Sequence, residues 1–263
     1  MESNNLLGIY SFFGFRLPLI KKLDLIKEAG FEATTLWWGD EIAFSEVNKD
    51  NLASTVRERG LYLENIHVPY TYINKLFSDS KKERDETLKQ YLYWIEDCAR
   101  YDIPLMVMHI TDGIQLPPPG KYLYDSYKKI VKTAKDYDVK VAVENTERID
   151  YLNFILKEFV SEQLGFCYDS SHAQLTSKNN VDILKKWNHR LFAVHLSDND
   201  GQKDRHWLPD KGIVNWDEVC SNLANYKGCI TLETFAHVDT TAEKFLKKAH
   251  EKAAKIRAMI INR

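Results

Sequence analysis

The sequence predicts a (β/α)8 barrel, an α/β fold occupying residues 1–263 as one domain. Short β-branched or aromatic runs alternate with longer amphipathic, charged stretches along the whole chain. Eight such runs occur, at a spacing of about 33 residues, as βα crossovers between parallel strands require. No Gly-rich dinucleotide loop follows the first run, which argues against an open doubly wound sheet.

The eight strand candidates are residues 6–12, 33–38, 61–68, 105–110, 140–146, 165–171, 191–198 and 229–235. Helical patterns lie between them. Residues 19–30 repeat apolar side chains at helical spacing and stop at Gly30, a good residue for the left-handed turn that ends a helix. A second pattern stops at Gly60 in the same way, a long amphipathic helix is expected over 82–102, and the last over 241–260. The run KKERDE (81–86) reads as the solvated face of a helix, and PPPG (117–120) as a short stiff loop. The longest loops after strands are 111–120 and 199–214. Loops after strands form the active face of a parallel barrel, so these two are the expected pocket walls.

A chain of 263 residues with 44% hydrophobic side chains can build a large core without a staple. Cys98, Cys167, Cys220 and Cys229 have no CxxC spacing and sit among apolar residues, so they read as buried free thiols. A net charge of -2 gives no support for a polyanion-binding tail, though a local basic patch stays open. No apolar run reaches the roughly 18–20 residues a membrane span needs, and the N-terminal stretch lacks the basic start of a leader. A cytoplasmic protein without a membrane partner is expected; oligomeric state is not readable.

Chemistry-bearing residues stand where the strands end. The third ends in His67, the fourth in His109, the fifth in Glu144 and the sixth in Asp169, with His172 three residues on. The seventh carries His195, with Asp198 nearby and Asp204 and His206 in the loop beyond; the eighth ends in Glu233. A single buried Glu can be a structural residue, and Glu144 could pair with Arg148. The set is harder to dismiss, because buried charge must be paired or metal-bound. Five of the eight His fall at strand ends or in the following loops, which suits imidazole and carboxylate ligands of Zn2+, Mn2+ or similar ions. His189, His237 and His250 read as ordinary residues, though His237 follows strand 8 and could touch substrate. Trp37, Trp38 and Tyr70 offer apolar faces for a sugar ring, and Arg205 and Lys211 offer positive charge for a phosphate.

These residues fall in the segments HVPY, VENT, DSSHA, HLSDNDG, DRH and LET. Through them the chain resembles the xylose isomerase-like TIM barrel superfamily, over strands 3 to 8. That superfamily holds sugar and sugar-phosphate isomerases and epimerases and the endonuclease IV type of abasic-site nuclease. In the isomerase pattern, the resemblance implies one ion held by Glu144, Asp169, His195 and Glu233. Glu144 and Glu233 would then be the acid–base pair that moves a proton across a carbon. In the nuclease pattern it implies up to three zinc ions: one on His67, His109 and Glu144, one on Glu144, Asp169, His195 and Glu233, and one on His172, Asp204 and His206. The segment after His109 lacks a small Gly/Ser-rich turn, and Thr71 follows Tyr70 where an apolar DNA wedge would stand. The segments HLSDNDG and KGIVNW look more like the small-sugar branch. The leading expectation is therefore a divalent-metal-dependent isomerase or epimerase of a sugar or sugar phosphate. Its substrate contacts would be Trp38, Tyr70 and Arg205. The alternative is a trinuclear zinc phosphodiesterase, whose partner would be nucleic acid.

Overall fold

The computed structural model describes residues 5–39, 46–177, 179–237 and 239–262. Residues 1–4, the start of the stretch read as lacking a leader, and the terminal Arg263 lie outside the described residues. The strands are β1 (Leu7–Tyr10), β2 (Ala33–Trp37), β3 (Tyr62–His67), β4 (Leu105–His109), β5 (Lys140–Glu144), β6 (Leu164–Asp169), β7 (Leu191–His195) and β8 (Ile230–Leu232). All pairings are parallel, in the order β7-β6-β5-β4-β3-β2-β1-β8. A single bridge, Leu196 to Leu232, brings the two edges together, with the Leu196 amide donating to the Thr231 carbonyl at 2.9 Å. The chain is a (β/α)8 barrel, as its eightfold pattern predicts.

The helices are α1 (Leu19–Glu28), α2 (Leu52–Glu58), α3 (Lys81–Arg100), α4 (Lys121–Asp136), α5 (Ile149–Glu158), α6 (Ser170–Thr176), α7 (Asp182–Trp187), α8 (Trp216–Asn222) and α9 (Ala242–Ile261). The sixth unit carries two short helices where one was expected. Local chemistry sets the ends. Ser80 accepts from the Glu83 amide at the start of α3, and Thr241 from the Lys244 amide at the start of α9. Gly30 takes a φ of 98° just past α1, which an L side chain rarely adopts.

Alternation along each strand divides the core into two layers. Outward residues such as Ile9, Leu36, Ile66, Met106, Val143, Tyr168 and Leu232 pack under the helices. Inward residues of the β4–β7 half form a small apolar cluster of Leu105, Val107, Ala142, Cys167 and Ala193, with Phe192 against it. Gly165 leaves room for that phenyl ring, since a Cβ there would lie 2.4 Å from it.

The β8–β3 half is polar. The β2–β3 register slips between Thr34 and Thr35, so Glu64 is an extra residue opposite none. Its carboxyl accepts from the Thr231 hydroxyl inside the barrel. Burial pushes it from 4.5 up to about 7. The folded state thus binds the extra proton between these values, and stability falls as pH rises from 4.5 through 7. Glu64→Gln should flatten that part of the curve, with a relative gain at pH 8 of up to about 3 kcal/mol. Urea midpoints at pH 5 and 8, in EDTA, measure it; an unchanged pH slope would place its origin elsewhere.

Candidate metal centre and its cavity

The last inward residues of the strands meet at one mouth. In register, Trp37 stands beside His67, His109 beside Glu144, and Asp169 beside His195. Glu144 is at the centre. His67 Nε2 lies 3.1 Å from its Oε2, His195 Nδ1 3.2 Å from the same oxygen, and His172 Nδ1 3.3 Å from its Oε1. His109 Nε2 is 3.9 Å away. Glu233 reaches in from β8, its Oε2 2.9 Å from His195 Nδ1.

Backbone carbonyls anchor three of these imidazoles through Nδ1: Val68 for His67, Asn145 for His172 and Glu233 for His206. In each the other nitrogen faces a carboxylate, Glu144 for His67 and Asp204 for the other two. Asp169 serves twice. One oxygen caps α6 by accepting from the His172 amide at 2.6 Å, and the other has no hydrogen-bond partner among the described residues. Asn145 fixes the Asp169 backbone from both sides, donating to its carbonyl and accepting from its amide.

Electrostatics here is a contest between burial and neighbours. Burial alone would raise the Glu144 carboxyl, but the surrounding imidazoles, His195 foremost, hold it well below the usual range. Burial opposes Glu233 likewise, and His195 and His206 bring it to about 2. Burial would deprotonate His206, yet Asp204 and Glu233 lift it to about 9. Asp169 lacks enough compensation, and burial carries it up to about 7. His109 is driven down to about 3 by burial. The positive charge of the mouth thus resides on imidazolium groups.

The donor set fits a divalent cation. Single donor atoms of Glu144, Asp169, His195 and Glu233 all lie within 4.8 Å of one another, and so do those of His67, His109 and Glu144. Ligands at about 2.0–2.2 Å from one ion stand no more than roughly 4.4 Å apart, so a small inward adjustment suffices. Glu144 Oε1, Asp169 Oδ2 and both His195 nitrogens are buried without hydrogen-bond partners among the described residues, an arrangement a cation would satisfy. Cys167 also neighbours Glu144 and His195, but burial pushes its thiol up to about 12, away from the thiolate a ligand needs. His172, Asp204 and His206 are joined differently. Asp204 lies between the imidazoles, 3.3 Å from His172 Nε2 and 2.8 Å from His206 Nε2, as an ion-pair bridge. Ser171 donates to its other oxygen at 2.6 Å.

Above the centre opens a cavity of about 1140 Å3, lined among others by Tyr10, Phe12, Phe15, Trp37, Tyr70 and Phe235. Tyr70 stacks on His109 at 4.0 Å and Trp37 on His67 at 5.2 Å. Trp38, expected to touch substrate, faces the other way: its indole donates to buried Asp97 at 2.9 Å, beneath α3. Arg205 is likewise turned aside, forked onto Asp200, and Lys211 is exposed. Arg148 does not pair with Glu144; it binds Asp150 and the carbonyls of Leu116 and Pro117. That clamp helps pin loop 111–120, which contributes no residue to the cavity lining. The apolar wall comes instead from the loop after β1 and from Phe235. Loop 199–214 supplies Asp204 and His206, the latter at a φ of 47°, rare for a residue with a side chain. Asp198, considered as a partner for His195, accepts from the Val214 amide and the Trp216 indole. All four cysteines are buried free thiols.

Fold and mouth together define a parallel barrel with a buried carboxylate–imidazole centre. Residues 23–259 match the family described as xylose isomerase-like TIM barrel, and the chain belongs to that family. It is 25% identical over 276 residues to an uncharacterised protein of Sinorhizobium fredii, covering 90% of this chain and 88% of that one. A D-psicose 3-epimerase of Enterocloster bolteae is 29% identical over 120 residues, 41% of this chain and 38% of that one. Among solved structures, an L-ribulose 3-epimerase superposes with a TM-score of 0.82 at 13% identity, over 98% of this chain and 96% of that one, and so shares the fold.

Ligation needs neutral imidazole and ionised carboxylate, so cation binding should release protons and strengthen as pH rises. Calorimetry with Mn2+ and Zn2+ at pH 6 and 8 should show tighter binding at pH 8. In Asp169→Asn the affinity should fall by at least about tenfold. Equal affinity in that variant would remove Asp169 from the ligand set.

Proposed function

We propose that this chain is a divalent-metal-dependent isomerase or epimerase of a sugar or sugar derivative. The observation that carries the reading is the pair of carboxylates, Glu144 and Glu233, flanking one imidazole nitrogen of His195 at 3.2 and 2.9 Å below an aromatic-walled cavity. The sugar epimerases among its relatives and structural neighbours support it.

Glu144, Asp169, His195 and Glu233 would hold the ion, which when bound supplies Lewis-acid polarisation of a carbonyl. Glu233 is the proton acceptor. It lines the cavity with 12% of its side chain exposed, and it is ionised at neutral pH because its neighbours hold it near 2. Removing a proton from the carbon beside a carbonyl leaves an enediolate, whose negative charge the imidazolium-rich mouth stabilises. While Glu233 yields its proton to solvent, one drawn from the adjoining His172 imidazolium is returned from the opposite face by Glu144. Only 1% of that side chain is exposed, so it must lift from its nest of imidazoles to reach a substrate carbon. Tyr70 and Trp37 give the sugar ring apolar faces, and Asp204, steered by Ser171, is placed to accept from its hydroxyls. With Arg205 engaged by Asp200, and with neither Arg205 nor Lys211 on the cavity lining, the loop after β7 offers little to a phosphate.

The test is exchange of substrate C–H hydrogen with solvent deuterium, followed by NMR on ketoses and aldoses with Mn2+ present. We expect exchange in the unaltered protein and a loss of at least about a thousandfold in Glu233→Gln. Persistent exchange in that variant would exclude Glu233 as the proton carrier.

A second reading, metal-assisted phosphodiester hydrolysis, is favoured by the additional donor set of His67, His109 and Glu144. It needs a further ion on His172, Asp204 and His206, the residues bridged here as an ion pair. Cleavage of abasic-site duplex DNA that disappears in His206→Ala would reverse the ranking.

A further inference from the structure

The cavity is larger than the proposed chemistry needs. Sites for drug-sized ligands occupy roughly 300–1,000 Å3, and a six-carbon sugar is smaller than most such ligands. At about 1140 Å3 this cavity leaves a substantial outer region once a monosaccharide sits against Glu233 and His109. That region has a definite make-up. Phe235 stacks on His206 at 4.2 Å, the Phe12 ring meets Phe235 edge to face at 5.4 Å, and Lys22 Nζ lies 6.0 Å from the Phe12 ring. An aromatic wall therefore runs without a break from the imidazole beside Asp204 to the rim. Phe12 is 40% exposed, enough to present its ring to a ligand at the rim. Phe15 and Leu17 continue the wall, and Arg16 stands among them on the lining without an ion pair to any described residue.

We propose that this outer region is a subsite for a second sugar ring. The preferred substrate is then a ketose disaccharide, and the proposal rests on the isomerase or epimerase reading above. A pyranose ring presents C–H faces to aromatic walls and hydroxyl edges to charged groups, and this region offers both. A purely apolar aglycone would make no use of Arg16, which is exposed at the rim. A phosphate would find Arg16 and Lys22 but would also meet phenyl rings and the Glu46 carboxylate, which lines the cavity while accepting from the Leu19 and Ile20 amides, so a phosphorylated ketose is the competing ligand in the test. The reaction is the same proton transfer: a C–H bond beside the carbonyl breaks toward Glu233 and a C–H bond reforms on the opposite face. The glycosidic bond takes no part, and no oxidant or reductant is required.

Calorimetric titration of the Mn2+-loaded protein with D-fructose, D-fructose 6-phosphate, lactulose and maltulose tests the assignment. At least one ketose disaccharide should bind about tenfold or more tightly than D-fructose. Phe12→Ala should cut that preference by a similar factor while leaving thermal stability and Mn2+ affinity intact. The proposal is overturned if D-fructose or its phosphate binds as tightly as both disaccharides, if no member of the panel binds, or if the preference survives in Phe12→Ala. Deuterium exchange on the same samples keeps the two readings apart. Exchange without a disaccharide preference sinks only the subsite. Preference without exchange sinks only the proton-transfer chemistry.

Discussion

Glu144 governs the architecture of the mouth. An ionised carboxylate with 1% of its side chain exposed is stable only where positive charge surrounds it. Imidazoles from four other segments surround it, His67 from β3, His109 from β4, His172 from α6 and His195 from β7, and the charge resides on His172 and His195, which their neighbours hold protonated against burial. None is local to Glu144 in sequence. Only a closed or nearly closed cylinder of parallel strands brings such distant positions to one level, so barrel closure and site assembly are the same event. The unpartnered atoms that remain on Glu144, Asp169 and His195 mark where this compensation is incomplete and where a cation would complete it.

The strands and most site residues were legible because two periodicities are strong. Every predicted strand overlaps an observed one, and the strand-end His, Asp and Glu residues converge as expected. The same period-2 rule contained information that a search for chemistry-bearing residues passes over. Consecutive strand-end residues cannot both face inward, so with Trp37 on the cavity Trp38 must pack outside. Parity along β1 likewise places Gly8 and Tyr10 inward, and Tyr10 does line the cavity.

Other features were not legible for physical reasons. Loop length suggested that residues 111–120 would wall the pocket, but length says nothing of tethering. Arg148 holds that loop through its carbonyls, and Asn74 exchanges hydrogen bonds with Asp112 at its start. Arg205 looked available because the nearby Asp200 is equally exposed-looking in sequence, yet one guanidinium edge satisfies it. The bulge that turns Glu64 into the barrel leaves no trace in composition, since a single extra residue changes only register.

The division of the barrel interior follows from the same geometry. The β4–β7 half beneath the donors is apolar and tightly filled by Phe192 against Gly165, which gives His109, Glu144, Asp169 and His195 a rigid floor. The opposite half, with Glu64 and Thr231, is polar, and the cavity opens over the adjoining β1, β2 and β8 ends. Ligand binding and charge fixation therefore centre on different arcs of one ring of strands, with Glu233 of β8 and His109 of β4 serving both. The donors can stay fixed on their arc while the loop after β1 varies in side-chain character to suit different ligands. In this chain that loop carries two phenylalanines and an arginine on the cavity wall, which shifts recognition toward the rim without disturbing the carboxylates beneath it.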